Sequence, residues 1–360
     1  MSGDLSLCAR ALAEWFRAVA RPLPWRMDHD PYKVLVSEFM LQQTRMSAVV
    51  PYFERWMERW PDLPSLAAAR EEEVLKLWEG LGYYSRCRNL LKAVRAMAAE
   101  GLAAPPPDAA KLRAFPGIGE YTAGAVASVA YDLPTPAVDG NAERVVSRLC
   151  NIPEPAGSAA LRREAARVAT EMYAAVRPRE LNKALMELGA MVCTPRRADC
   201  GACPLSGHCA AWREGTAEQR PLPRVRASVS REEAWGGIFL REEKILLRRR
   251  PPAGVWASMW EVPWFPRTCG DFAADLRRWP EGCGITPGGD VRALGTASFS
   301  FTTHRVRAWV AACPLSEVPA SGEWRLAAAP ELDAMTLPAP SRKFLRVFRE
   351  MAFDADTGKW

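Results

Sequence analysis

The chain has 360 residues, 49% hydrophobic and 25% charged, a globular composition too long for one ordinary domain, which predicts two or three packed units. Residues 1–10 supply neither a basic leader nor an apolar stretch, and no later run is long and uncharged enough to span a bilayer. A cytoplasmic, nucleoid-associated protein is therefore expected; the net charge of +6 suits a polyanionic partner without proving one, because charge governs association rather than fold.

Asp4 as a cap, with Leu5, Cys8, Leu12, Trp15 and Val19 near helical spacing, predicts an amphipathic opening helix that ends before Pro22 and Pro24. Helical patterns continue over 34–60, 71–99, 123–130, 143–149 and 159–191, so the chain reads as mostly α to about Trp212. From 217 to 233 the pattern fails: Gln219, Arg220, Pro221, Pro223, Arg224 and Arg226 make a polar, basic, proline-punctuated linker. Beyond it, 234–240, 244–249 and 297–312 are rich in β-formers, whereas 271–279 and 341–351 are helical in pattern. The expected architecture is multidomain, an α-helical core over 1–216 and an α+β domain over 234–360, with no internal repeat.

Six cysteines, Cys8, Cys87, Cys150, Cys269, Cys283 and Cys313, are scattered singly. The other four form one run, Cys193-x6-Cys200-x2-Cys203-x5-Cys209, which suggests a metal site in a reducing compartment. Four thiolates in so short a segment can wrap one compact inorganic core, and both structural zinc and iron-sulfur clusters use that number. Arg196 and Arg197 lie inside the first loop, where phosphates could be met. His208 is adjacent, but four cysteines leave it no necessary role as a ligand.

Phe115-Pro116-Gly117-Ile118-Gly119-Glu120-Tyr121 joins two helical patterns through a Gly-x-Gly turn whose backbone N–H groups could face a phosphate. Val138-Asp139-Gly140-Asn141 follows; taken alone, Asp139 reads as an N-cap on the next helix. Earlier lies Ser37-Glu38-Phe39-Met40-Leu41-Gln42-Gln43-Thr44, in which Glu38, taken alone, reads as a surface acid or a buried ion-pair partner.

Together these motifs resemble the MutY-type adenine DNA glycosylases of the helix-hairpin-helix, endonuclease III superfamily, from about Leu12 to the C-terminal helix. The resemblance implies a six-helix module over about 29–138, a module from 1–28 and 139–216 holding a 4Fe-4S cluster on Cys193, Cys200, Cys203 and Cys209, and a monomer. It implies that Glu38 is the general acid that protonates adenine N7, a role that a desolvated carboxyl can fill near neutral pH. Asp139, oriented by Asn141, would stabilise or capture the oxocarbenium-like sugar. Tyr121 stands where lyase relatives carry a Schiff-base lysine, and a phenol cannot form that imine, so a monofunctional glycosylase is expected.

Base excision needs the base extruded and the hole filled. By resemblance Gln43 and Tyr83 enter the stack, Gly117 and Gly119 meet phosphate, and Trp25 and Arg26 border the adenine pocket. Lys183 stands where relatives carry Gln or Glu; an ammonium only donates hydrogen bonds, so either adenine is contacted differently or Lys183 points outward to phosphate or solvent.

The segment after 233 resembles the Nudix-like domain that ends MutY proteins, without the acidic box of a hydrolase, which implies a reader of 8-oxoguanine opposite the target adenine. The family's His-x-Phe-Ser/Thr-His hairpin corresponds to 299–303, so both histidines are replaced, by Phe299 and Thr303; Ser300, Phe301, Thr302 and His304 keep aromatic and hydrogen-bonding character. The expected partner is double-stranded DNA with adenine opposite 8-oxoguanine or guanine. The rivals are a thymine or other mismatch glycosylase and a non-catalytic iron-sulfur DNA-binding protein.

Overall fold

The computed structural model describes residues 2–224, 228–279, 284–319 and 322–352, so Arg226 and Cys283 fall outside it. The chain divides into two compact units, Met1–Val225 and Arg226–Trp360. The first carries α1 (Ser2–Val19), α2 (Pro31–Leu41), α3 (Met46–Arg59), α4 (Leu63–Ala68), α5 (Glu71–Trp78), α6 (Tyr84–Ala99), α7 (Ala109–Ala114), α8 (Glu120–Ala125), α9 (Gly140–Leu149), α10 (Ala159–Met172), α11 (Pro178–Met191) and α12 (Ala210–Arg213). A π turn, Val126–Ala130, prolongs α8. Among the described residues no helix is long and apolar enough to cross a membrane.

Three helices that periodicity predicts as continuous are each divided in two. The 34–60 run breaks after Leu41, where Gln43 takes φ 56°, and the 71–99 run breaks after Trp78, where Tyr83 takes φ 49°. The 159–191 run breaks ahead of Pro178, whose fixed φ starts α11 at its first turn. The apolar spacing survives each break because the helices on both sides bury their faces inside one unit, so a window of apolar positions does not register the corner.

The expected linker is also shorter in structure than in pattern. Ala217–Gln219 forms a 3-10 turn with Ala217 buried, and Leu222 pairs with the 154–156 segment through Leu222 N–H to Glu154 O at 3.0 Å and Ala156 N–H to Leu222 O at 2.9 Å. At the other end the first strand already begins at Ser230.

The second unit is a mixed sheet of β1 (Ser230–Arg241), β2 (Lys244–Arg249), β3 (Trp260–Glu261), β4 (Trp264–Pro266), β5 (Thr286–Pro287), β6 (Arg292–Phe301), β7 (His304–Glu317) and β8 (Trp324–Ala327), with α13 (Phe272–Arg278), α14 (Ala329–Ala334) and α15 (Ala339–Ala352). Its main path runs β3-β2-β1-β7-β5, with β1 and β7 parallel and the other pairs antiparallel. The β-rich stretch 297–312, in which a hairpin is expected at 299–303, lies within a hairpin of β6 and β7 that turns at Thr302 and Thr303. Ile238, Val310, Phe344 and Phe348 form an apolar cluster that includes α15; Phe239, Phe265, Phe272 and Leu276 form a second that includes α13.

In the first unit, Leu12 and Phe16 of α1 join Val146 of α9, Val168 of α10 and Leu185 of α11 in one core. There α11 approaches α9 so closely that a Cβ on Gly189 would lie 2.5 Å from Asn141 Cβ and 3.0 Å from its Cα and carbonyl oxygen. Backbone cannot yield as a flexible side chain does. Gly189→Ala is therefore expected to cost about 1–3 kcal/mol by forcing the helices apart. Gly322→Ala, with nothing within 4 Å of its added Cβ, stays within about 0.5 kcal/mol, and paired denaturant titrations read both.

Candidate active site

Asp30 caps α2 by accepting from Lys33 N–H, and from Tyr32 to Met40 all but Lys33 are buried, so this helix is an interior one. Its last turn carries Glu38, only 8% exposed. The Tyr121 hydroxyl, at the first turn of α8, donates to Glu38 Oε2 at 2.6 Å. Burial raises the Glu38 carboxyl to about 7; the Tyr121 hydrogen bond opposes that rise, and the charge of Asp139 adds to it.

Asp139 caps α9: its Oδ1 accepts from Asn141 N–H at 2.9 Å and Ala142 N–H at 2.8 Å, and Asn141 Nδ2 donates to Oδ2 at 2.7 Å. The cap and the candidate catalytic carboxylate are thus one group, and the two sequence readings of Asp139 do not compete. Burial raises its pKa, while those hydrogen bonds and the Arg144 charge pull it back. Glu38, Tyr121 and the Asp139–Asn141 pair, taken from three separate stretches of sequence, are brought together.

Arg144, which the sequence reading passed over, holds the arrangement. It donates from Nη2 to Asn141 Oδ1 at 2.8 Å and Gly189 O at 2.7 Å, and from Nε to Cys193 O at 2.7 Å. Arg148, one turn on, donates from Nη1 to Cys193 Sγ at 3.2 Å and Thr194 O at 2.8 Å. The available signal was two arginines at i and i+4 among Val145, Val146 and Leu149, where an exposed pair would be out of place.

Trp25 is buried edge-on to Phe53 at 5.2 Å. Arg26 donates to Glu187 Oε2 at 2.8 Å, and Arg21 pairs with the same carboxylate at 2.6 Å. Burial would raise Glu187, but these two guanidiniums hold it down to about 2. Lys183 is partly buried, its Nζ 3.4 Å from His29 Nε2 and 5.8 Å from the Phe16 ring. Burial and the Arg26 and Arg179 charges press its ammonium down to about 8.

Gln43 and Tyr83 are exposed at the two corners described above, Tyr83 at 52%. Arg86, which carries no signal in the sequence, is buried behind them, and desolvation lowers it to about 10. In the hairpin between α7 and α8, Gly117 takes φ 77° with Asn89 packed where a Cβ would go, whereas Gly119 has an extended backbone and open space. Only Gly117 is required by conformation.

Cys193, Cys200, Cys203 and Cys209 line one pocket with Arg148, Val192 and Trp212. Burial first, and then the charges of Cys193, Cys209 and Cys200, push Cys203 up to about 11. Four such thiolates repel one another unless positive charge lies between them, which a metal core would supply. Among the described residues no three His, Cys, Asp or Glu side chains are gathered to hold a metal ion as they stand.

In the second unit Phe301 pairs with His304 across the turn, and their rings stack at 4.8 Å. His304 Nδ1 meets Glu232 and Ser230 Oγ, Thr302 and Ser300 are exposed, Thr303 is partly buried, and Phe299 is buried against Trp264 and Phe344. Phe299 therefore belongs to the core.

Residues 36–171 match the family model described as HhH-GPD superfamily base excision DNA repair protein, and 234–347 match that of the NUDIX domain. The chain is similar to the mouse protein named "Adenine DNA glycosylase", 32% identical over 88% of this chain and 72% of that one. The human protein of the same name is 33% identical over 87% and 69%, and that of Mycolicibacterium smegmatis 42% over 58% and 70%. The first unit's fold is that of a thermostable thymine-DNA glycosylase (TM-score 0.53, 21% identity, 59% of this chain and 98% of that one). It is equally that of endonuclease III in a non-covalent DNA complex (TM-score 0.50, 21% identity, 60% and 98%). With a helix-hairpin-helix core, a Nudix-like second unit and relatives above 30% identity over most of its length, the chain belongs to the adenine DNA glycosylases of base excision repair.

Proposed function

We propose that this protein hydrolyses the N-glycosidic bond of adenine lying opposite 8-oxoguanine or guanine in duplex DNA, with Glu38 as general acid. The observation that carries this reading is the buried Glu38 carboxyl, held near 7 between the Tyr121 hydroxyl and Asp139. Protonation of adenine N7 by Glu38 lets the C1′–N9 bond break with its electron pair leaving on the base. Asp139 meets the positive charge developing on the sugar, and its hydrogen bonds from Asn141 and Ala142 favour the ionised form this needs. Water then adds at C1′, and its proton returns to the Glu38 carboxylate.

Gln43 and Tyr83 fill the vacated stack, Trp25, Arg26 and Lys183 border the extruded adenine, and the Gly117 to Gly119 turn presents N–H groups to phosphate. Exposed Thr302 and Ser300, with Thr303, Phe301 and His304, read the opposite base. Cys193, Cys200, Cys203 and Cys209 would hold a 4Fe-4S cluster, which when bound supplies the positive charge and cross-links that fix their loop. Arg144 and Arg148 tie that loop to the helix Asp139 caps, and Arg196 and Arg197 place it against DNA.

Duplexes carrying A opposite 8-oxoguanine, A opposite G and T opposite G, treated with alkali after incubation, test the reading. Alkali-labile product from the two adenine duplexes is expected, with a loss of about 10²–10⁴-fold in Glu38→Gln while binding persists. Product only from T opposite G, or from none, contradicts it. Purified protein should be brown; a colourless zinc-loaded protein contradicts the cluster assignment.

The pH dependence follows from the sign of the Glu38 shift. The acid form is required, so the single-turnover rate falls as pH rises through about 7. The Tyr121 hydrogen bond favours ionised Glu38, so Tyr121→Phe raises the Glu38 pKa and moves that alkaline limb to higher pH. A limb moved to lower pH overturns the assignment.

A further inference from the structure

Arg86 has no part in the chemistry above, yet it is buried and its guanidinium serves neutral oxygens at two separate corners of the chain. Nη1 donates to the carbonyls of Phe39 at 3.1 Å, Met40 at 3.0 Å and Gln42, the end of α2 whose carbonyls the helix leaves unpaired. Nη2 donates to Thr44 Oγ1 at 3.0 Å and to the carbonyls of Leu81 and Gly82, each at 3.2 Å. Its Nε is buried without a hydrogen-bond partner among the described residues, so the two Nη ends fix its orientation.

One planar fork thus fastens the corner holding Gln43 to the corner holding Tyr83. Both residues are exposed and left-handed, at φ 56° and 49°, a backbone that costs about 1 kcal/mol or more per residue unless its surroundings impose it. The Arg86 guanidinium also lies 5.4 Å from the centre of the Tyr83 ring, as a cation facing an aromatic.

We propose that Arg86 is a positioning residue for base extrusion, locking Gln43 and Tyr83 into one rigid edge that enters the base stack. The proposal rests on the reading that those two side chains intrude into DNA. A lysine keeps the charge but is a point donor that cannot span both corners.

The test replaces the target adenine by 2-aminopurine opposite guanine and follows its fluorescence on rapid mixing, with duplex affinity and thermal midpoint measured in parallel. Arg86→Lys and Tyr83→Ala are each expected to lower extrusion about tenfold with affinity within about threefold, and the double variant to fall no more than about twofold further. Unchanged extrusion in Arg86→Lys, or losses that multiply to about a hundredfold in the double variant, overturn the proposal. Should Arg86→Lys not fold, Thr44→Val removes a single acceptor: its loss of about threefold must vanish in the Tyr83→Ala background, and a loss that persists there overturns the coupling. If Tyr83→Ala itself leaves extrusion intact, the intrusion reading fails and the proposal with it; if Tyr83→Ala loses extrusion and Arg86→Lys does not, the positioning role alone fails.

Discussion

A carboxyl group that must hold its proton near neutral pH has to be kept from water, and the burial of Glu38 is the constraint around which the first unit is arranged. It sits on a helix that is apolar nearly all round, so its surroundings cannot solvate the charged form. Tyr121 is the one hydroxyl in contact among the described residues, and its bond limits how far desolvation can carry the group. Asp139, close enough to add repulsion, is itself kept toward ionisation by two backbone N–H groups and Asn141. Two neighbouring acids are thereby given different environments, which allows one to donate a proton while the other stabilises charge.

The second acid is fixed at a distance. Arg144 reaches from Asn141 to the backbone of Gly189 and Cys193, and Arg148 reaches the Cys193 sulfur. The cap of α9, the close approach of α11 and the entrance to the cysteine loop are therefore one hydrogen-bonded system. Removing any member strands the others in the interior, where an unpaired donor or acceptor costs about 1–3 kcal/mol. On the opposite side, Arg21 and Arg26 share Glu187 and tie the segment carrying Trp25 to the same α11.

What was legible in the sequence was whatever is local. The change from helical to alternating spacing after about residue 217 gives the two architectures, because periodicity records which face is buried. Glu38, Asp139 and the cysteine run could be singled out because their neighbours in sequence form dense motifs. The breaks at Gln43, Tyr83 and Pro178 were not legible, since the apolar stripes on either side remain in phase with the core. Arg86 was not legible for a different reason: an arginine is ordinarily a surface residue, and only folding reveals carbonyls gathered from distant segments to receive it; Arg144 and Arg148 left only the spacing noted above. Phe299 shows the converse, a motif position that alternation along β6 turns into the core.

The most direct test of this account is the titration of the Glu38 carboxyl itself, read as the protonated C=O stretch in the infrared difference between wild type and Glu38→Gln. The account predicts a band that persists through mildly acidic pH and is lost with a midpoint near 7. A midpoint near the ordinary 4.5 would mean that the group is ionised where the protein works, and the general-acid role would fall.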